Sequence, residues 1–253
     1  MPISRLKKLY HQTKRDLLNT ATYVRMTLEG NKVQKLTDFA SCQHPVLLLY
    51  GFGATRRTVS ILERRLRRDG FCVFSFNLGG IFKTFNTRCI EEGAEFIQQK
   101  VERLCQRFNL SKISIIGHSQ GGLIGRYYVK RLGGAKRVRS LITLAAPHNG
   151  NHWAILGLAT PLALISKSLR QMVPMSPFIR KLKQGPFPKN VRFTSIYSRG
   201  DRVCYYKSAM LEIRPEDKNL KNIDIPGLSH SDFVIRRSVY NVIKRELVEG
   251  EKE

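Results

Sequence analysis

The chain has 253 residues, enough for one sizeable α/β domain, and shows no internal repeat that would suggest two. Its 44 Lys and Arg against 19 Asp and Glu give a net charge of +25. Such a charge suits either a highly charged soluble surface or an anionic lipid partner; without zinc-finger spacing or aromatic–basic stacking motifs, nucleic acid is not an expected partner. The five cysteines (Cys42, Cys72, Cys89, Cys105, Cys204) are scattered without C-x-x-C spacing, indicating neither a zinc site nor a disulfide framework, and no run reaches the roughly 20 apolar residues of a membrane span.

Residues 1–44 read as a basic amphipathic helical segment. Ile3, Leu6, Leu9 and Tyr10 recur at helical spacing, Leu17, Leu18, Val24 and Leu28 extend the pattern less regularly, and Arg5, Lys7, Lys8, Lys14 and Arg15 lie mainly between them. Such a helix either packs its stripe on the domain or rests on an anionic membrane. The domain proper is expected over 45–253. Pro45 opens the apolar run Val46 to Tyr50, a buried strand that ends in Gly51-Phe52-Gly53. A helix is expected from Thr55 to Asp69, a strand from Phe71 to Phe76, and a long helix from Thr87 to Phe108. The last carries Ile90, Ala94, Ile97, Val101, Leu104 and Phe108 at alternating steps of four and three, the stripe of a helix packed on a sheet.

Ile113 to Ile116 reads as another strand. It runs into Gly117-His118-Ser119-Gln120-Gly121-Gly122, after which Leu123 to Leu132 continues with helical spacing. A strand, a sharp turn and a helix with serine at the apex hold Ser119 Oγ out above the sheet, with the Gln120 N–H at the helix N-terminus facing any oxyanion that forms. A strand follows over Ser140 to Ala146, closed by Pro147-His148-Asn149-Gly150. Alternating strands and helices of this length require a mostly parallel sheet covered on both faces.

The alternation breaks over about 149–190, which holds Trp153, several Leu and Ile, Pro161, Pro174, Pro177, Pro186 and Pro188, and basic residues from Lys167 to Lys183. Short helices laid across one end of the sheet are expected there. Val191 to Ser198 resumes as a strand leading into Asp201, Ile223 to Ile225 is a short last strand before His230, and Asp232 to Leu247 is a terminal helix.

A serine hydroxyl needs a histidine to take its proton, and the imidazole needs a carboxylate to fix its tautomer. After a nucleophile on such an elbow, the acid belongs at the end of a later strand and the histidine after the last one. Asp201 and His230 occupy those positions, with Asp224 and Asp217 as fallback acids. His118 is expected to pack beside the nucleophile, and His148, His152, His11 and His44 to be structural or exposed.

These stretches together resemble the lipase/esterase branch of the α/β-hydrolase fold, from about Pro45 to the C-terminus. The resemblance rests on Leu48 to Gly53, Gly117 to Gly122, Ala146 to Gly150, Ser198 to Val203 and Gly227 to His230. It implies an α/β fold with a mostly parallel sheet, and a serine ester hydrolase acting on acyl esters of lipids through Ser119, Asp201 and His230. It also implies an oxyanion hole from the backbone N–H groups of Phe52 and Gln120, a lid over about 149–190, and no cofactor or metal. Tyr50 stands where the family usually has histidine. An acyltransferase using the same triad and a non-catalytic lipid-binding protein are the alternatives. Product analysis with an added alcohol separates the first, and loss of a triad residue would mark the second. The expected location is cytoplasmic, peripheral at a membrane, although a chain with its signal removed would read the same way.

Overall fold

The computed structural model describes residues 3–32, 37–158 and 166–250, with the side chains of 3–9, 81 and 158 also left undescribed. Pro161, Leu162, Leu164 and Ile165 of the inserted segment therefore lie outside the described residues, as do the side chains of Ile3, Leu6 and Leu9.

The frame is a sheet of six strands in the order β2-β1-β3-β4-β5-β6. These are β1 (Pro45–Leu49), β2 (Cys72–Phe74), β3 (Ile113–His118), β4 (Val138–Leu144), β5 (Arg192–Tyr197) and β6 (Leu220–Asp224). Every described pairing is parallel. Every residue of β1 and of β3 is buried, as expected for strands covered on both faces, which read as continuous apolar runs rather than alternating ones. Each fully buried Leu or Ile there contributes about 1.5–3 kcal/mol relative to exposure. The covering helices include α2 (Ser60–Arg68), α3 (Ile90–Phe108) and α4 (Gln120–Arg131). On α3 the first four positions of the expected stripe, Ile90, Ala94, Ile97 and Val101, are inaccessible, while Leu104 and Phe108 at its end are half-buried.

Several elements are shorter than their sequence patterns. The strand expected over Phe71 to Phe76 pairs only over Cys72–Phe74, because among the described residues β2 is an edge strand with β1 as its one neighbour. The stretch from Thr55 starts with a 3-10 turn, Arg56–Val59, before α2 begins. The inserted segment folds into α5 (His152–Leu158), α6 (Lys167–Gln171) and α7 (Pro177–Lys183). After β5 come a single turn α8 (Tyr206–Ala209) and, past β6, α9 (Asp232–Ile235) and α10 (Arg237–Glu249). The terminal helix is therefore broken, with Arg236 extended at φ −75°, ψ 139° between its two parts.

The absence of a disulfide is corrected at one place: Cys42 and Cys72 are bonded, with Cα atoms 5.8 Å apart. The register brings them together, since Pro45 pairs with Cys72 and the Cys72 N–H donates to the His44 carbonyl. Cys89, Cys105 and Cys204 are free.

The N-terminal helix α1 (Ile3–Leu28) lies against the domain through Tyr23 and Met26, the latter buried. Tyr10, Leu17, Leu18, Val24 and Leu28 remain exposed on it. Among the described residues no helix is long and apolar enough to cross a membrane.

Candidate active site

The site is built where β3 meets α4. Ser119 has φ 53° and ψ −125°, a backbone conformation that costs a non-glycine residue on the order of 1–3 kcal/mol and persists only where its surroundings hold it. The hold comes from close packing. The Ser119 N–H donates to the Leu144 carbonyl at 2.9 Å, and the neighbouring glycines let helix and sheet approach. A Cβ at Gly117 would lie 2.6 Å from Gly122 Cα, one at Gly121 2.5 Å from the Leu49 carbonyl oxygen, and one at Gly122 2.5 Å from Ala146 Cβ. The glycines thus do more than clear space around the serine: they set the distance at which α4 sits on β1, β3 and the end of β4.

The loop after β1 lies beside the serine, since a Cβ at Gly51 would meet Ser119 Cβ at 3.0 Å. Buried Asn86 fixes this loop. Its Nδ2 donates to the carbonyls of Tyr50 (3.0 Å) and Gly51 (3.1 Å), its own carbonyl accepts from Gly53 (2.8 Å), and its N–H donates to Ala54 (3.0 Å). Nothing periodic in the sequence marks Asn86. Tyr50 is fully buried, and its hydroxyl accepts from the Leu78 N–H at 2.8 Å, so the side chain braces the loop from below. Phe52 follows Gly51, and Gln120 opens α4. Among the described residues no backbone or side-chain acceptor takes the N–H of either, which leaves both donors for a ligand. The Gln120 side chain turns away, its Nε2 donating to the Arg88 carbonyl at 3.1 Å.

Asp201 and His230 meet as their positions in the chain implied. His230 Nδ1 lies 2.8 Å from Asp201 Oδ2, and the Asp201 side chain is fully buried. The other carboxylate oxygen, Oδ1, accepts from the N–H groups of Val203 (2.8 Å) and Cys204 (3.0 Å), so its own turn orients the acid. The fallback acids are engaged elsewhere: Asp224 pairs with Arg199 at 3.0 Å and Asp217 with Arg214 at 3.1 Å. With Asp201 accepting from Nδ1–H, the free Nε2 is the basic nitrogen of His230. No hydrogen bond joins Ser119 Oγ to His230.

His118 links the two halves of the site. Its ring centre is 4.7 Å from that of His230, and its Nε2 is 3.1 Å from the His230 carbonyl oxygen. Burial, and secondarily the His230 ring, hold its imidazole well below the usual histidine range, so it stays neutral. Neutral and bonded to a carbonyl, it donates from Nε2–H and holds the loop that carries His230. Tyr23 of α1 meets His118 edge-on at 5.9 Å. One turn earlier on α1, Asn19 donates to Asp232 Oδ1 and Thr20 meets Ser231 at 3.4 Å. Asp232 Oδ2 in turn accepts from the Ser229 N–H at 2.9 Å. The N-terminal helix therefore clamps the turn on which His230 stands. A cavity of about 680 Å³ lies between them, lined by Asp16, Leu17, Tyr23, Arg202, Val203 and His230, among others. The remaining histidines have other roles: His148 is buried with Nε2 2.9 Å from Thr143 Oγ1, and His152 opens α5. Among the described residues no group of His, Cys, Asp and Glu is placed to hold a metal.

A parallel sheet with a strained serine at the strand-to-helix turn, followed by an acid after one later strand and a histidine after the next, defines the α/β-hydrolase class. Comparison agrees: the profile of the alpha/beta hydrolase fold matches residues 44–168. The chain has the α/β-hydrolase fold. It is 28% identical over 123 residues to triacylglycerol lipases of Pseudarthrobacter phenanthrenivorans and Burkholderia plantarii, alignments that cover 46% of this chain. It spans 37% and 33% of the length of those curated relatives. Among solved structures, a Bacillus licheniformis lipase in its mature form superposes with a TM-score of 0.67 at 12% identity, covering 86% of this chain and 96% of that one. Aspergillus fumigatus lipase B gives 0.67 at 17% identity, over 87% and 55%.

Proposed function

We propose that this protein is a serine carboxylic-ester hydrolase acting on acyl esters of lipids through an acyl-enzyme. The observation that carries the reading is the strained Ser119 at the elbow (φ 53°), in one site with the Asp201–His230 pair at 2.8 Å and the unengaged N–H groups of Phe52 and Gln120. In the proposed reaction, Ser119 Oγ attacks the ester carbonyl carbon while His230 Nε2 takes its proton, and Asp201 stabilises the imidazolium. The carbonyl oxygen becomes an oxyanion held by the Phe52 and Gln120 N–H groups. As the C–O bond breaks, His230 returns the proton to the departing alkoxide. Water then attacks the acyl-serine by the same steps in reverse order of roles, releasing acid and free serine.

A lipid substrate is favoured by the similarity to triacylglycerol lipases and by the apolar surface near the histidine. Trp153, Ile155, Leu156, Val203 and Leu17 are all exposed, and Trp153 Nε1 donates to the Arg202 carbonyl in the wall of the cavity beside His230. With Lys167, Arg170, Arg180 and Lys181 on the neighbouring helices, α5 to α7 form a lid that docks on an anionic interface, each cation contributing about 1 kcal/mol near the surface. A screen of acyl p-nitrophenyl esters and dispersed phospholipids tests the activity, with turnover of acyl esters expected and none on any of them refuting it. Acyl transfer to an added alcohol in place of acid release would instead make the protein a transferase. Vesicle co-sedimentation across a salt series tests the docking: salt-sensitive binding to anionic vesicles is expected, and equal, negligible binding to neutral and anionic vesicles would refute it.

A further inference from the structure

Four neighbouring strands begin on one basic edge. Lys112 precedes β3, Arg139 is the second residue of β4, Lys189 and Arg192 flank the start of β5, and Lys218 and Lys221 flank the start of β6. Because these strands are adjacent and parallel, their starts line up: Ile113 pairs with Val138, Ser140 with Arg192, and Thr194 with Lys221. Ser119 and Asp201 follow the far ends of β3 and β5, so the basic edge lies at the opposite end of the sheet from the candidate active site. There the six cations line a cavity of about 600 Å³.

Among the described residues the cavity is only partly neutralised. Glu246 and Glu249 reach one side only, pairing with Lys221 (2.8 and 3.6 Å), and Glu249 also pairs with Arg192 (3.3 Å). Among the described residues no acid lies within ion-pair distance of Lys112, Arg139, Lys189 or Lys218. The polar groups that could be donors are committed: Thr194 Oγ1 to Glu246 Oε2, and Asn219 Nδ2 to the Pro188 and Val191 carbonyls. Concentrating like charges in a concavity with protein walls is unfavourable and focuses a positive potential into it; an anion seated there relieves the cost. The volume is that of a small-ligand site, and no aromatic side chain lines it to stack a base, which argues against a nucleic acid strand. Lys and Arg together suit phosphate, the arginine forks binding oxygens in pairs and the lysines acting as point charges.

We propose that this edge binds a compact, multiply charged phosphate anion, either free or as a lipid headgroup, separately from the ester chemistry. Inorganic tripolyphosphate titrated calorimetrically into the full chain at physiological salt is expected to bind saturably at one site. Lys112→Gln/Lys189→Gln/Lys218→Gln is expected to weaken it by roughly tenfold or more, whereas Arg64→Gln/Arg103→Gln/Lys207→Gln, with the same change in net charge elsewhere, leaves it within about twofold. Unchanged ester turnover in the cavity variant shows it folded. A second arm uses vesicles carrying a bisphosphorylated inositol lipid. Vesicle binding that the cavity variant also loses assigns the headgroup as the source, and binding of tripolyphosphate alone assigns the free anion. No saturable binding in either arm, or equal losses in the two variants, overturns the proposal.

Discussion

Asn86→Ala is the most informative perturbation of the proposed oxyanion loop. The substitution removes the two donors to the Tyr50 and Gly51 carbonyls while leaving the backbone bonds of residue 86 to Gly53 and Ala54 in place. The Gly51 carbonyl keeps the Ala54 N–H at 3.3 Å, whereas the Tyr50 carbonyl is left without a donor, which costs about 1–3 kcal/mol, at the low end if water fills the vacated space. That part is ordinary destabilisation. The specific part is kinetic: the Gly51–Phe52 peptide loses the shorter of its two hydrogen bonds, keeping only that from Ala54, and an oxyanion donor lost or misplaced lowers kcat by about 10²–10³-fold. Because the donor acts on the transition state, kcat is expected to fall with KM little changed. Steady-state kinetics on a short acyl ester, beside a thermal unfolding curve, measures both. Asn222→Ala serves as control, since Asn222 makes a matching two-bond clamp on Leu211 (2.9 Å each) outside the site. It is expected to lose stability but keep kcat. A folded Asn86→Ala with wild-type kcat would refute the assignment of the Phe52 loop to the oxyanion.

The acid and histidine are expected to act as one unit, so Asp201→Asn/His230→Ala should be little worse in kcat than His230→Ala alone; additive losses would separate them. Tyr23→Ala and Asn19→Ala, which loosen the grip of α1 on the His230 turn, are expected to lower kcat more than they raise KM, and unchanged kinetics in both would reduce the helix to a structural cover. His118 and His148 are each held neutral by burial, well below the usual histidine range. Below the unfolded value of about 6.5 the unfolded chain takes up protons that the folded chain refuses, so stability falls as pH drops, by about 1.4 kcal/mol per pH unit for each histidine. Urea unfolding at pH 7 and pH 5 checks this, and His148→Gln should flatten the slope.

What could be read from the sequence was whatever lies in one continuous stretch. The elbow, the apolar runs of β1 and β3 and the buried stripe of α3 each follow from neighbours along the chain, and chain order then picked out Asp201 and His230. Features set by distant partners were not legible. Asn19 and Asp232 are separated by 213 positions, and nothing in either local pattern announces the clamp. Cys42 and Cys72 pair because of where β1 and β2 sit in register, which cysteine spacing does not reveal. Asn86 is a polar residue in an irregular loop, where periodicity has no purchase. The terminal helix reads as continuous because Arg236 is compatible with a helix; its extended backbone is imposed by tertiary context.

The central claim is that Ser119 is the covalent nucleophile. The direct measurement is labelling of wild-type protein and Ser119→Ala by a fluorophosphonate, with intact-mass detection and ester turnover on the same samples. One adduct on the wild type is expected, with none on the variant and a loss in kcat on the order of 10³-fold or more. An adduct or undiminished turnover in Ser119→Ala would place the nucleophile elsewhere and contradict the account.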